Sequence, residues 1–203
     1  MSMSALKAKS LGFKLQNLVK QPEHGPQGFL RRSTPLRCAR MAADKTFRGN
    51  ASQFFVAGEL CRRGYYAVVT LGNAANTDIL CSNVAGTKFV HIQVKTYLPG
   101  NKTCSVGVKA EKEYQDNFFW VLGGIPDPTQ DAEFEFYVIP AAVMSRETRA
   151  MHKKWLETPG KDGQPHKDTT VRVTFIPPAT NQYSWDASPY KNAWHLIEEK
   201  LAD

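Results

Sequence analysis

Apolar and polar positions repeat with two different periods along this chain, and each change of period marks a new element. From about Asn50, apolar residues recur at helical spacing through Phe54, Phe55, Val56, Ala57 and Leu60. Asn50 or Ser52 is placed to cap the start, and Gly64 to end the helix just past its last turn. Residues 65–71 switch to the β-branched and aromatic composition of a strand, and residues 72–76 are rich in turn formers. A hairpin follows: a strand over 78–83, a turn containing Ala85 and Gly86, and a longer strand over 88–97. Farther on, the pattern predicts a short strand over 104–108, clearer strands over 118–122 and 134–139, and a helix from Ala141 or Ser145 through Trp155. A polar Gly/Pro loop spans 158–169, and 171–176 reads as another short strand. Ser188 and Pro189 then start a final helix over 190–201. No internal repeat is visible, and the order of elements predicts an α/β layer structure with a sheet in the middle and helices on its faces.

The first forty residues follow neither period. They are rich in Ser, Lys and Arg and are broken by Pro22, Gly25, Pro26 and Pro35, although residues 5–19 could form an amphipathic helix with Leu6, Phe13 and Leu18 among its apolar positions. Charge changes the picture here. Residues 1–40 carry eight Lys and Arg against the single acid Glu23, which accounts for the whole formal net charge of +7. The remainder balances, so a basic groove on the folded part has to come from local clustering. Residues 1–44 are therefore expected to be a basic, flexible extension, and 45–203 the folded domain. Three readings of the extension stay open: an arm for nucleic acid, an organelle-targeting peptide, or sequence upstream of a start at Met41.

A chain of 203 residues with 42% hydrophobic content can bury the core of one domain. Its longest apolar runs, over 118–125 and 134–143, fall well short of the roughly 20 residues that cross a bilayer, so no membrane partner is expected. Cys38, Cys61, Cys81 and Cys104 form no C-x-x-C pair and read as isolated reduced thiols. Walker-type loops, nucleotide-binding fingerprints and zinc-ligand spacings are missing from the sequence too.

Chemistry enters at the strand Phe89-Val90-His91-Ile92-Gln93-Val94-Lys95-Thr96. Alternation sends Val90, Ile92 and Val94 to one face and His91, Gln93 and Lys95 to the other. An amide and an ammonium two residues apart on a face meant for burial call for a charged partner. The hairpin supplies Asp78: a two-residue Ala85-Gly86 turn sets it across from Gln93, whereas a four-residue turn sets it across from His91. Phosphodiester hydrolysis uses such a set, with hard oxygens for a divalent cation and an ammonium for the attacking water or the charge on phosphate. Asp78, the Gln93 side-chain oxygen and the Val94 carbonyl are candidate ligands for Mg²⁺ or Mn²⁺, and Lys95 is the candidate catalytic cation. A further acid is wanted, and Glu59 on the preceding helix is the candidate.

The helix bearing Glu59, the Thr77-Asp78-Ile79-Leu80 strand entry and Ile92-Gln93-Val94-Lys95 together resemble the PD-(D/E)XK, or restriction-endonuclease-like, nuclease superfamily. The resemblance covers roughly residues 50–125 and is nearest to its Mrr-like and Holliday-junction-resolvase-like branches. It departs from the pattern in having Thr77 where the family has Pro and Gln93 where it has Glu, both tolerated in those branches. It implies a mixed central sheet flanked by helices with an α-β-β-β-α-β core. It implies Asp78 as central metal ligand, Gln93 at the variable Glu/Gln position, Lys95 as catalytic lysine and Glu59 as helix acid. The implied activity is a metal-dependent endonuclease on DNA in the cytoplasm, at the nucleoid, and as a homodimer where both strands are cut. A catalytically inactive nucleic-acid-binding module of the same fold is the main alternative, and a purely structural protein with a buried ion network is another.

Each site residue also has a blander reading. Glu59 could pair with Arg62 or Arg63 on the helix surface, Asp78 could be a turn residue, and Gln93 and Lys95 could face solvent at a sheet edge. His91 reads as structural, the four tryptophans as packing, and Arg62, Arg63, Lys88 and Lys102 as surface cations able to touch phosphate.

Overall fold

The computed structural model describes residues 45–70, 72 and 74–202, which belong to one compact unit. The expectations for the basic extension, the amphipathic 5–19 segment and Cys38 lie outside the described residues. The first helix, α1, spans Lys45–Arg62, and Gly64 ends it at φ +92°, a conformation that a Cβ would strain. It begins five residues ahead of Asn50. Ser52 is not a cap but a buried residue on the face that meets the sheet.

Three strands follow, β1 (Tyr66–Val69), β2 (Ile79–Ser82) and β3 (Phe89–Tyr97), each antiparallel to the one before. Ile79 pairs with Ile92 and Ser82 with Phe89, the register that the shorter turn predicts. The loop itself is held by Asn83, whose Oδ1 accepts from the Thr87 and Lys88 amides at 2.9 and 3.1 Å. Next come β4 (Thr103–Ser105), a 3-10 turn over Val108–Glu111, β5 (Phe118–Gly124) and β6 (Glu135–Pro140). Then follow α2 (Ala141–Glu157), β7 (Val173–Phe175), a second 3-10 turn (Ser188–Tyr190) and α3 (His195–Leu201). The main sheet has the order β1-β2-β3-β5-β6, with β3 and β5 parallel, while β4 and β7 form a small antiparallel pair beside it.

Two expectations are corrected. The α-β-β-β-α-β order implied by the resemblance has a helix after the third strand, where the structure has β4, near the short strand read over 104–108, and a single 3-10 turn. The final helix is also broken. Asn192 takes φ +52° and its amide donates to the Phe136 carbonyl at 2.8 Å, beside a bridge between Lys191 and Tyr137. Attachment to β6 interrupts the helix that local periodicity favours.

Side-chain alternation gives the sheet two unlike faces. On the first, Val56, Ala57 and Leu60 of α1 and Ile197 and Leu201 of α3 close over Ile79, Cys81, Val90, Ile92, Val94, Phe119 and Val121. Burying one such aliphatic side chain contributes about 1.5–3 kcal/mol. On the second, Tyr97, Phe118, Trp120, Leu122, Tyr137 and Ile139 pack under Met144 of α2, Cys104 and Ala110. Two adjacent glycines in β5 serve opposite faces. A Cβ at Gly123 would stand 2.3 Å from Ser52 Oγ of α1, and one at Gly124 would stand 2.7 Å from the Tyr97 ring.

Candidate active site

The end of β1 fixes the approach to β2. The Thr70 amide donates to the Asp78 carbonyl at 2.9 Å, and its hydroxyl donates to the Thr77 carbonyl at 2.6 Å. Asn76 turns the chain just before, at φ +66°. The Asp78 amide then donates to the Ile92 carbonyl at 2.9 Å, which sets Asp78 beside Gln93 on the second face of the sheet. Its Oδ2 accepts from the Val94 amide at 2.7 Å and from Gln93 Nε2. A residue's N–H and C=O leave a strand by the same edge, so the Val94 carbonyl points to the edge that Asp78 occupies.

Burial pushes the Asp78 carboxyl above its usual range; the Val94 amide, Lys95, Lys109 and Gln93 pull the other way without cancelling it. Gln93 is buried, with Trp120 as its register partner on β5. The structure thus brings Asp78, Gln93, Val94 and Lys95 together. Lys109, on the 3-10 turn before β5, is an exposed cation that the sequence reading missed. A single 3-10 turn has no apolar period to betray it, and Gly107 at φ +70° is the only local hint.

Glu59 is placed differently. Its carboxylate accepts from Arg62 at 2.7 and 2.8 Å and from Arg63 at 2.8 Å, and Arg63 continues to Glu198 at 2.8 Å. The hydrogen bond from Arg62 is the main reason its carboxyl lies below the usual range. These contacts are those of the surface ion pair weighed as its blander reading, and no hydrogen bond joins Glu59 to Asp78 or Gln93. His91 sits between the site and the hydrophobic packing: Nδ1 lies 3.3 Å from the Thr77 hydroxyl, and the ring stacks near Phe118 at 6.5 Å. Thr77, standing where the superfamily pattern has proline, therefore has a partner of its own.

The other candidates are dispersed. The Lys88 ammonium donates to the Ala202 carbonyl, Lys102 is exposed, and Trp120 and Trp194 are buried, one on each face of the sheet. Trp155 stacks with His166 at 4.1 Å and His152 at 5.4 Å. Cys81 and Cys104 are buried thiols, each pushed up to about 12 chiefly by burial.

Among the described residues, no three His, Cys, Asp or Glu side chains gather to hold a metal. The oxygens available near one another are the Asp78 carboxylate, the Gln93 amide and the Val94 carbonyl. Mg²⁺ is commonly held by one or two carboxylates, with waters and substrate phosphate completing the shell, so this donor set fits a hard divalent ion. No helix among the described residues is long and apolar enough to cross a membrane.

No protein-family model matches the chain, and no curated protein matches it. Among solved structures, the chain is similar to the bacterial homing endonuclease I-Ssp6803I, with a TM-score of 0.44 and 17% identity over 77% of this chain and 94% of that one.

Proposed function

We propose that this chain is a divalent-metal-dependent endonuclease that hydrolyses phosphodiester bonds in DNA. The observation that carries the reading is the convergence of Asp78, Gln93, the Val94 main chain and Lys95 at the end of β2, with the Asp78 carboxyl destabilised by burial. A half-buried carboxylate beside a lysine, with two further oxygens and no second acid, is costly as mere architecture and useful as a cation and phosphate site. Asp78, Gln93 Oε1 and the Val94 carbonyl would hold Mg²⁺ or Mn²⁺. When bound, the ion supplies positive charge at the phosphoryl oxygens and acidifies nearby water.

The protein's own groups do the rest. Lys95 orients the attacking water and offsets charge as the new P–O bond forms and the ester P–O bond breaks; the water gives up a proton to solvent and the leaving oxygen takes one up from it. Gln93 donates through Nε2 to Asp78 and fixes the carboxylate; turning the amide over would present Oε1 to the ion instead. Lys95 and Lys109 place a scissile phosphate by charge.

Two variants test the roles separately. Asp78→Ala should abolish both cation binding, read by calorimetry, and cleavage of plasmid and oligonucleotide DNA. Lys95→Ala should keep most of the cation binding while cleavage falls about a hundredfold or more. A Lys95→Ala protein as active as the parent would sink the mechanism. A second reading, a catalytically silent nucleic-acid-binding module, is favoured by the engagement of Glu59 with arginines. Gln93→Glu separates the two readings. It adds a carboxylate to the site and should tighten cation binding in an enzyme, and it leaves a silent module without turnover in either ion.

A further inference from the structure

The second face of the sheet is covered unevenly. The packing beneath α2 takes its sheet residues from β3, β5 and β6, and none from β1 or β2. On the uncovered side, Tyr66 is 62% exposed, Val68 64% and Phe89 45%. The register puts Tyr66, Ser82 and Phe89 in one row across three strands, and Val68, Leu80 and His91 in the next. Two further residues along β3 come Gln93 and then Lys95. The candidate active site therefore lies on the border between the covered and the open halves of one face.

We propose that this open half binds single-stranded DNA, with bases stacked on Tyr66 and Phe89 and the backbone led to the phosphate position at Asp78 and Lys95. The inference rests on the nuclease reading and specifies its substrate. Three observations favour this occupant. The strip is aromatic and apolar but runs into cations: β1, β2 and β3 carry no acid, and Lys95 and Lys109 act on the Asp78 carboxylate at its end. An isologous pairing of two copies through the strip would instead bring the same cations of both copies toward one another. The dimensions also suit a strand. Tyr66 and Phe89 are two strand spacings apart, about 10 Å, and Phe89 lies four residues, about 13 Å, from Gln93. The leg from Phe89 to Gln93 alone corresponds to roughly four nucleotides at the rise of a stacked strand. Finally, an exposed ring accepts any base by stacking, whereas duplex DNA hides the base faces from it.

The test uses the full chain in EDTA, so that binding is read without hydrolysis. Fluorescence anisotropy is measured with a labelled 20-nucleotide oligo-dT and with a blunt duplex of the same length. The parent should bind the single strand more tightly than the duplex. Tyr66→Ser and Phe89→Ser, both at exposed positions, should each weaken single-strand binding about tenfold and leave duplex binding unchanged. Phe54→Ser, at an exposed position on α1, should change neither. Equal loss on both probes, no loss in either variant, or a dimer in sedimentation that only the Tyr66 and Phe89 variants lose would overturn the proposal. Cleavage with Mg²⁺ or Mn²⁺ is then scored on both probes. Duplex cutting that ignores Tyr66 and Phe89 refutes the stacking surface while leaving the nuclease standing. Selective single-strand binding with no cutting refutes the nuclease reading and leaves the surface.

Discussion

The two faces of the central sheet are made from the same strands, yet they serve different ends. Along β3, Val90, Ile92 and Val94 enter a continuous apolar layer beneath α1 and α3, while His91, Gln93 and Lys95 alternate with them toward the other side. The sealed face is consistent at every level: propensity, alternation and burial agree. The other face holds a half-buried carboxylate, a buried amide and an ammonium at the edge of its cover. The contrast teaches that the polar residues on β3 are not there for stability, since the apolar alternative is realised one residue away on the same strand.

That contrast can be broken by experiment. The largest stability effect belongs to the sealed face: Leu60→Ala, at a position with no exposure, should cost about 2–5 kcal/mol in denaturant unfolding. The specific activity of the remaining folded protein should not change. Gly123→Ala comes next, at about 1–3 kcal/mol, because the new methyl meets Ser52 Oγ at 2.3 Å. Ser52→Ala in the same chain should restore most of the loss, because the next contact is then Cβ to Cβ at 3.6 Å. Ser52 Oγ is itself buried without a partner, so its removal alone should be nearly neutral. A double-mutant cycle that shows no coupling would mean that α1 shifts instead.

On the site face the sign reverses. Asp78→Asn removes a carboxylate that burial disfavours and keeps an acceptor for the Val94 amide, so in metal-free buffer near neutral pH it should raise Tm by about 2–4 °C. The pH dependence follows from the raised folded pKa. Below the unfolded carboxyl pKa, Asp78 is protonated in both states and the parent and variant should be equally stable. As pH rises from the unfolded value through the raised folded one, the unfolded chain ionises first, so the parent's disadvantage from its half-buried carboxyl grows and then levels off. The smallest effect should be on cation affinity, which needs the ionised carboxylate and should begin to fall, on acidification, at a higher pH than an ordinary aspartate would give. Equal Tm values for parent and variant across this range would show that Asp78 is solvated after all.

The residues themselves show how far the sequence could be read. Alternation told which residues of β3 share a face, because one face is so uniformly apolar that a slip of one residue would bury Lys95, but it left Asp78 opposite either Gln93 or His91, a choice that the turn decides. Either register brings Asp78, Gln93 and Lys95 into one neighbourhood. The start of α1 was missed because Asn50 and Ser52 both look like caps, while the fit of Ser52 against Gly123 is a tertiary fact with no local signature. Lys109 was hidden for the same reason. The break before α3 comes with the attachment of Lys191 and Asn192 to β6, which outweighs a good helical pattern. Glu59 shows the opposite limit: its helix was found, but two arginines within four residues compete for its carboxylate, and spacing alone cannot rank the partners.

The parallel join of β3 to β5 has a consequence for how the molecule assembles. β1, β2 and β3 are linked by short turns and can pair almost as soon as they collapse, whereas β5 reaches β3 only after the 98–117 segment has been closed into a loop. The meander that carries Asp78, Gln93 and Lys95 is thus the piece with the lowest contact order. The register of the candidate site can be set before the second half of the sheet arrives, and errors in docking that half would leave the site's main-chain hydrogen bonds formed but its wall, Trp120, missing.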